Sequence, residues 1–148
     1  QQNKSEQKGN NMISLSKARK DIFQLFTDCL ADVTLNDQSV PVFDCIPPSD
    51  VNQGVLYENR YLEQPTTTMT GETIYHLVQC TTTVFSFVDW ETTEKICDLL
   101  NERLNGKGDN DTFQMIICHS FYYMDFVEEE GFFGIQIDWD IILYGNEQ

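Results

Sequence analysis

From Thr73 to Val88 the chain runs without a Gly, Pro, Asn or Asp to break it, and Thr, Val, Ile, Tyr and Phe dominate the stretch. These are residues that suit a pleated, half-buried surface. The mean strand of a globular protein is about 5–6 residues. At about 3.3 Å per residue this one would reach roughly 50 Å. That is long for the core of a 148-residue chain. The run also shows two phases. Ile74, His76, Val78, Cys80 and Thr82 share one face, whereas Phe85 and Phe87 have the opposite parity. Alternation of side chains across a strand therefore predicts a bulge or bend near Thr81–Thr83, letting one strand serve two surroundings.

The run passes directly into "DWETTEKICDLLNERLNGKG". Asp89 or Thr92 is placed to cap a helix, Ile96, Cys97, Leu100 and Leu104 form its apolar stripe, and Gly106 ends it. An earlier helix is written at residues 14–32. Ser14 or Ser16 is its cap, and Leu15, Ala18, Ile22, Leu25, Phe26, Cys29 and Leu30 recur at three- and four-residue spacing. Val40, Val42 and Phe43 predict a short strand stopped by Pro47-Pro48, which cannot donate to a ladder. Val55 to Leu62 predicts another, and Gln64-Pro65 a turn before the long run.

The last third reads as a hairpin turning around Gly131. Phe113, Met115, Ile117, His119 and Phe121 alternate with Gln114, Ile116, Cys118 and Ser120. In the return strand Phe133, Ile135, Ile137, Trp139, Ile141 and Leu143 alternate with Gly134, Gln136, Asp138, Asp140 and Ile142, apolar inside and acidic outside. Together these elements predict an α+β fold: a mainly antiparallel sheet with a long bent strand and two helices packed on one face. Residues 1–12, "QQNKSEQKGNNM", are expected to be a flexible polar arm, and 13–148 a single domain. The arm has no apolar segment of signal-peptide type, and a start at Gln1 rather than Met fits a trimmed or processed end.

Charge narrows the function. Nine Lys and Arg face 24 Asp and Glu, a net of −15. Coating nucleic acid needs clustered cations to neutralise phosphates, so that class is excluded, and an anionic membrane would repel the chain. No run of 18 apolar residues is present to form a membrane-spanning helix. The acidity either keeps the protein dispersed or provides a surface that faces DNA without adhering to it. The five cysteines, Cys29, Cys45, Cys80, Cys97 and Cys118, are odd in number and widely spaced, as expected of reduced thiols packed as small apolar groups in a cytosolic protein.

Catalytic and metal chemistry find no strong carrier. The two histidines, His76 and His119, sit in no metal-ligand motif. His76 lies among apolar strand neighbours and reads as a core or interface residue. Cys118 and His119 are adjacent, so a strand points them to opposite faces, whereas a thiol–imidazole pair needs hydrogen-bond reach. "GKGDND" at 106–111 lacks the Lys-Ser/Thr of a phosphate loop and the spaced carboxylates of a calcium loop. Asp138 and Asp140 share a face, as paired carboxylates would, but a solvated outer face is the default reading. Glu128, Glu129 and Glu130 read most simply as a hairpin tip. No catalytic residue, metal ligand or cofactor site is assigned.

The order of elements, from "ISLSKARKDIFQLFTDCL" through "VPVFDCIPP", a long strand ending "VFSFVDW", the helix "ETTEKICDLLNERL" and the strand "GIQIDWDIIL", resembles the tail-terminator and tail-completion (head–tail joining) proteins of long-tailed bacteriophages. Phe85-Ser86 and the helix from Asp89 to Leu104 carry the likeness most closely. The pattern covers residues 13–144, without the loop at 49–72 and the hairpin at 113–143. The resemblance implies a virion protein at the tail–neck junction, made in the host cytoplasm. It would form a ring, usually of six copies, that caps the tail tube and joins it to the neck and connector proteins. It implies no catalysis, no cofactor and no membrane, and genomic DNA that passes through without specific binding. A terminator and a portal-proximal connector both fit.

On that reading Ile74, His76, Val78, Phe85, Phe87 and Trp90 are candidates for a subunit interface. Asp138, Asp140, Glu128, Glu129 and Glu130 are candidates for an acidic lumen or partner face, and the arm at 1–12 orders on meeting a partner. Two rival classes stand beside it. One is a small acidic module or inhibitor that mimics DNA or engages a basic protein. The other is a thiol or carboxylate enzyme with Cys118 or Asp138 in a cleft.

Overall fold

The computed structural model describes residues 15–44, 46–62, 66–67, 73–109 and 112–144. The expected arm at 1–12, the Gln64-Pro65 turn and Cys45 lie outside them. Helix α1 (Leu15–Cys29) is followed by the short strands β1 (Thr34–Leu35), β2 (Gln38–Ser39) and β3 (Val42–Phe43). Next come β4 (Gln53–Leu62), β5 (Thr66–Thr67), the long β6 (Thr73–Ser86), helix α2 (Trp90–Leu104), β7 (Phe113–Tyr123) and β8 (Phe133–Tyr144). The main sheet runs β3-β4-β6-β8-β7, with β5 also on β6. All its pairings are antiparallel except β3 on β4. The fold is α+β, with both helices on one face, as the periodicities predict.

Each helix is built around the stripe it buries. In α1, Ala18, Ile22 and Phe26 follow one another at four-residue spacing and are buried, and Leu30 continues the stripe past the helix end. Leu15, expected in that stripe, is exposed at the start of the described helix. In α2, Ile96, Cys97, Leu100 and Leu104 are buried as expected. Asp89 caps the helix, its Oδ1 accepting from the Thr92 N–H at 2.8 Å and from the Thr92 hydroxyl at 2.7 Å.

Strand β6 is a single strand, and its register with β8 is unbroken from Tyr75↔Tyr144 to Ser86↔Phe133. The expected bulge at Thr81–Thr83 is not in it. The irregularities lie elsewhere: in the neighbouring β4 between Asn59 and Tyr61, and at the start of β6, where the pairing with β5 steps from Thr66↔Tyr75 to Thr67↔Thr73. The even-numbered residues His76, Val78, Cys80, Thr82 and Val84 of β6 are all buried on the helix side. Phe85 is buried as well, from the other side, where Phe132 stacks on it at 5.9 Å and Phe87 meets it edge-on at 6.0 Å. The two apparent phases are thus the two faces of one strand, the second covered only locally, around Phe85, by Phe87 and Phe132.

Strand β7 departs from strict alternation. Its register with β8 slips between Phe113 and Met115 and again between Cys118 and Ser120. Each slip inserts one residue and shifts the parity. Phe113 and Ile116 are therefore buried together, while Met115 and Ile117 point away and are exposed. Strand β8 keeps the alternation read from its sequence: Ile135, Ile137, Trp139, Ile141 and Leu143 are all buried. The Trp139 ring meets Phe26 edge-on at 5.4 Å, and its indole N–H donates to the Thr82 hydroxyl at 2.9 Å.

A tight turn unread in the sequence joins β1 to β2. Asn36 and Asp37 have φ of 55° and 61°. Two consecutive left-handed residues are what a two-residue hairpin requires. Buried Gln53 clamps this hairpin to the body: its amide nitrogen donates to the carbonyls of Leu35, Gln38 and Ser39, and its Oε1 accepts from Asn36.

Candidate functional site

Two surfaces stand out: the sheet face that no described helix covers, and the sheet end where β6 passes into α2. The open face takes the even positions of β8 and the odd positions of β6. Asp138 sits in its middle, opposite Thr81 on β6 and Ser120 on β7. Asp138 Oδ1 accepts from the Thr81 hydroxyl at 3.0 Å and from the Gln136 amide at 3.5 Å, and its Oδ2 accepts from the Ser120 hydroxyl at 3.5 Å. Asp140 lies two residues on, between Gln79 and Ile117. Both carboxylates are half-buried. Glu128, Glu129 and Glu130 are exposed in the turn beyond β7, at the strand end rather than beside Asp138. The acidic candidates thus form a mid-sheet pair and a separate tip.

The interface candidates also divide. His76, Val78 and Phe85 are at most 3% exposed and belong to the chain's own interior. The Ile74 side chain lies outside the described residues. Phe87, 45% exposed, and half-buried Trp90 are left at the surface. Trp90 packs on Tyr123 and Phe133, each at 5.3 Å. It thereby joins the start of α2 to the end of β7, where Phe121, Tyr122, Tyr123, Phe126 and Val127 are also exposed. The hydroxyl of Tyr123 donates to Glu94 at 2.6 Å. The sequence reading passed over this aromatic rim. Its signal was available in "FYYMDF", residues 121–126, more aromatic than one buried face of an edge strand can use.

Beside Phe85 and Phe87 a cleft of about 220 Å³ opens on the uncovered face, lined by Ile46, Pro47, Pro48, Val51, Leu56 and Phe132 among others. Pro47-Pro48 thus does more than end β3, since it forms an apolar wall. Gly54 permits the close packing below it: a Cβ there would meet the Pro41 carbonyl oxygen at 2.8 Å.

The groups examined for chemistry are occupied structurally. Burial pushes the Cys118 thiol up from its ordinary value, the wrong direction for a nucleophilic thiolate. Its backbone N–H donates to Asn105 Oδ1 at 2.8 Å. Burial likewise raises the Cys29 thiol to about 11, opposed by the nearby Arg103 charge. In the 106–111 loop, Asp109 Oδ1 accepts from the N–H groups of Thr112 and Phe113, at 2.9 and 2.8 Å, and so sets the start of β7. Among the described residues no group of three or more His, Cys, Asp or Glu side chains is arranged to hold a metal ion. The described cysteines, Cys29, Cys80, Cys97 and Cys118, are unbridged. No described helix is long and apolar enough to cross a membrane.

No family model matches the chain, and no curated protein matches it in sequence. Among solved structures it is similar to a chain from the "Virion of native gene transfer agent (GTA) particle", with a TM-score of 0.54 at 14% identity, over 70% of this chain and 78% of that one. At that identity the likeness is one of fold.

Proposed function

We propose that the protein is a structural component of a phage-type particle: a ring subunit, most simply six copies, that caps the tail tube and joins it to the neck. The observation that carries this reading is the fold shared with a chain of a gene transfer agent virion. The order of helix, long strand, helix and terminal hairpin supports the narrower assignment as a tail-terminator or tail-completion protein. In this reading the chain performs no catalysis, and its work is done by surfaces. Phe87 and Trp90 lie in contacts with neighbouring subunits or the tube. Asp138 and Asp140, on the sheet face without helices, line the lumen, where like charge lets DNA slide past without adhering. The residues at 1–12 serve as an arm that takes up a partner.

The native mass of the purified chain, measured at two concentrations and two salt levels, with and without isolated tail tubes, tests this function. Six subunits, or a monomer that forms rings on the tubes, is the expected result. A monomer under every condition, inert towards tubes, overturns it. Tight affinity of that monomer for a basic nucleic-acid enzyme would then establish the acidic binding module, which the charge of −15 favours. The lumen assignment has its own test. Replacing Asp138 and Asp140 by Lys is expected to leave the ring intact and to impair DNA delivery. Unchanged delivery removes the lumen role.

A further inference from the structure

The sheet face opposite the helices changes character along its length. One row across the strands reads Glu58, Thr81, Asp138 and Ser120, all polar. The next row toward the start of α2 reads Leu56, Thr83, Gln136 and Tyr122. Beyond it the face turns apolar. Phe85, Phe87 and Phe132 each contact the other two, with ring centroids 5.9, 6.0 and 5.7 Å apart. Pro47-Pro48, its backbone stiffened by two pyrrolidine rings, stands beside this floor as a wall of the cleft of about 220 Å³. At its lip Ile46 is 87% exposed and Phe87 45% exposed. Exposed apolar surface gathered in this way marks a place where another molecule docks. A floor and wall already held in place lose little freedom on binding.

Size and polarity narrow the occupant. Sites for small ligands are commonly about 300–1,000 Å³ and carry several placed polar groups. Here the lining residues offer only the Ser49 and Thr83 hydroxyls as polar side-chain groups. The cleft suits one large apolar side chain, the usual anchor of a protein contact. Its rim is acidic. Asp50 lies between the lining residues Ser49 and Val51, and Glu58 lies two residues past Leu56 on the same face. Asp89 is two residues past Phe87, Glu130 is two before Phe132, and all four carboxylates are exposed. No Lys or Arg occurs from 44 to 59, from 73 to 94 or from 112 to 144. Arg60 is the nearest cation in sequence to the lining, and Arg19 of α1 is engaged by Asp44 at 3.4 Å.

We infer that this cleft receives a large apolar side chain from a Lys- or Arg-rich segment of another protein. The anchor enters against Phe87 and Pro48, and the cations beside it meet the carboxylates of the rim. The identity of that protein rests on the particle reading above, in which it is the tube or neck protein that the subunit joins. Charge complementarity selects this occupant over a second copy. A second copy would bring its own −15 against an acidic rim. Its exposed aromatics at 121–126 would also carry Asp125 with them, and Glu128, Glu129 and Glu130 just beyond.

Titration of the isotope-labelled full chain with blocked peptides, followed by NMR, tests the inference. The probes carry a central tryptophan or leucine between pairs of lysines. The controls have glutamates in place of the lysines, or alanine in place of the anchor. The lysine peptides are expected to shift the signals of Leu56, Phe87 and Phe132. Alanine as the anchor should weaken binding about tenfold, as losing a buried large side chain implies. Binding should also weaken as salt rises from about 0.01 M to about 1 M, which cuts the screening length from about 30 Å to about 3 Å. Lysine peptides that shift nothing, or only Asp138 and Asp140, overturn the proposal, as do glutamate peptides that bind equally well. Ile46→Lys puts a cation on the lip at a side chain already 87% exposed, and should melt like the parent. Phe87→Ala removes part of the floor. Each should weaken the lysine–tryptophan peptide about tenfold, and unchanged affinity in both overturns the cleft as the site. The same signals shifting as the chain alone is concentrated would make a second copy the occupant, which also overturns it. A chain that forms rings but binds no peptide keeps the ring function and loses this docking site. One that binds the peptides and stays monomeric beside tail tubes does the reverse.

Discussion

Asp138 and Trp139 are consecutive residues of one strand and live in different solvents. Trp139 is fully buried between α1 and the sheet, with one polar atom and one acceptor for it. Asp138 faces the uncovered side among hydroxyl and amide groups. The same contrast runs along β8, with the odd positions Ile135 to Leu143 buried against the helices and Gln136, Asp138, Asp140 and Ile142 only half-buried on the other face. The comparison teaches that stability is carried mainly by one face of this backbone, while the recognition proposed above would fall to the other. A substitution should therefore report on one or the other according to its parity.

The sharpest test is Trp139→Ala, which removes the largest buried side chain and its contact with Phe26. It is expected to cost about 3–5 kcal/mol, seen as a large drop in the denaturant midpoint, and a small drop would show that the helical face is not the main source of stability. Next comes Thr82→Val, which keeps the shape but leaves the indole N–H without its acceptor. It should cost about 1–3 kcal/mol, and adding Trp139→Phe should make the second change cheaper than it is alone. Gly54→Ala forces a Cβ against the Pro41 carbonyl and should destabilise by about 1–3 kcal/mol, the largest effect expected on the open side. Asp138→Asn keeps an acceptor for Thr81 and should change stability by no more than about 0.5 kcal/mol. A larger loss there would break the division between the faces.

Asp89 offers an effect of a different kind, with a pH signature. The hydroxyl of Thr92, then its backbone N–H, holds the Asp89 carboxyl below the usual carboxylate value. A depressed value in the folded state means that the cap contributes fully above the unfolded value, near about 4, and that the contribution is lost as pH falls through the folded one. Asp89→Ala should lower the melting temperature at neutral pH by a few degrees, and the gap from the parent should close as the solution is acidified below about pH 4. A gap that persists in acid would assign the loss to packing instead of to the charge-assisted cap.

Much of this architecture is legible in the residues. The stripes of Ala18, Ile22 and Phe26 and of Ile96, Cys97, Leu100 and Leu104 specify two helices and their buried sides. The alternation from Ile135 to Leu143 specifies which face of β8 is dry. Asp89 and Gly106 mark the ends of α2, where the capping carboxylate accepts from Thr92 and Gly106 takes φ of 78°. These signals are local, since a helix turn or a strand pair of neighbours is enough to express them.

The misreadings concern relations between strands. Phe85 looked out of phase because its cover, Phe87 and Phe132, comes from two other parts of the chain, the second far along the sequence. The bulges at β7 shift Ile116 inward and Met115 outward, and a bulge is a property of a pair of strands that leaves no mark in either alone. The exposed rim at Phe121–Phe126 looked like ordinary strand because nothing local says that α2 meets it only at Tyr123, through Trp90 and Glu94.

Composition and periodicity by themselves therefore determined the element types, the inward faces of the helices and of β8, and the acidic character that any partner must meet. Only the tertiary structure decided where Asp138 sits relative to Thr81 and Ser120, and which aromatics reach the surface. The reason is physical. Helical stripes and strand alternation arise from backbone geometry within a few residues, whereas exposure and strand pairing depend on segments brought together from distant parts of the chain.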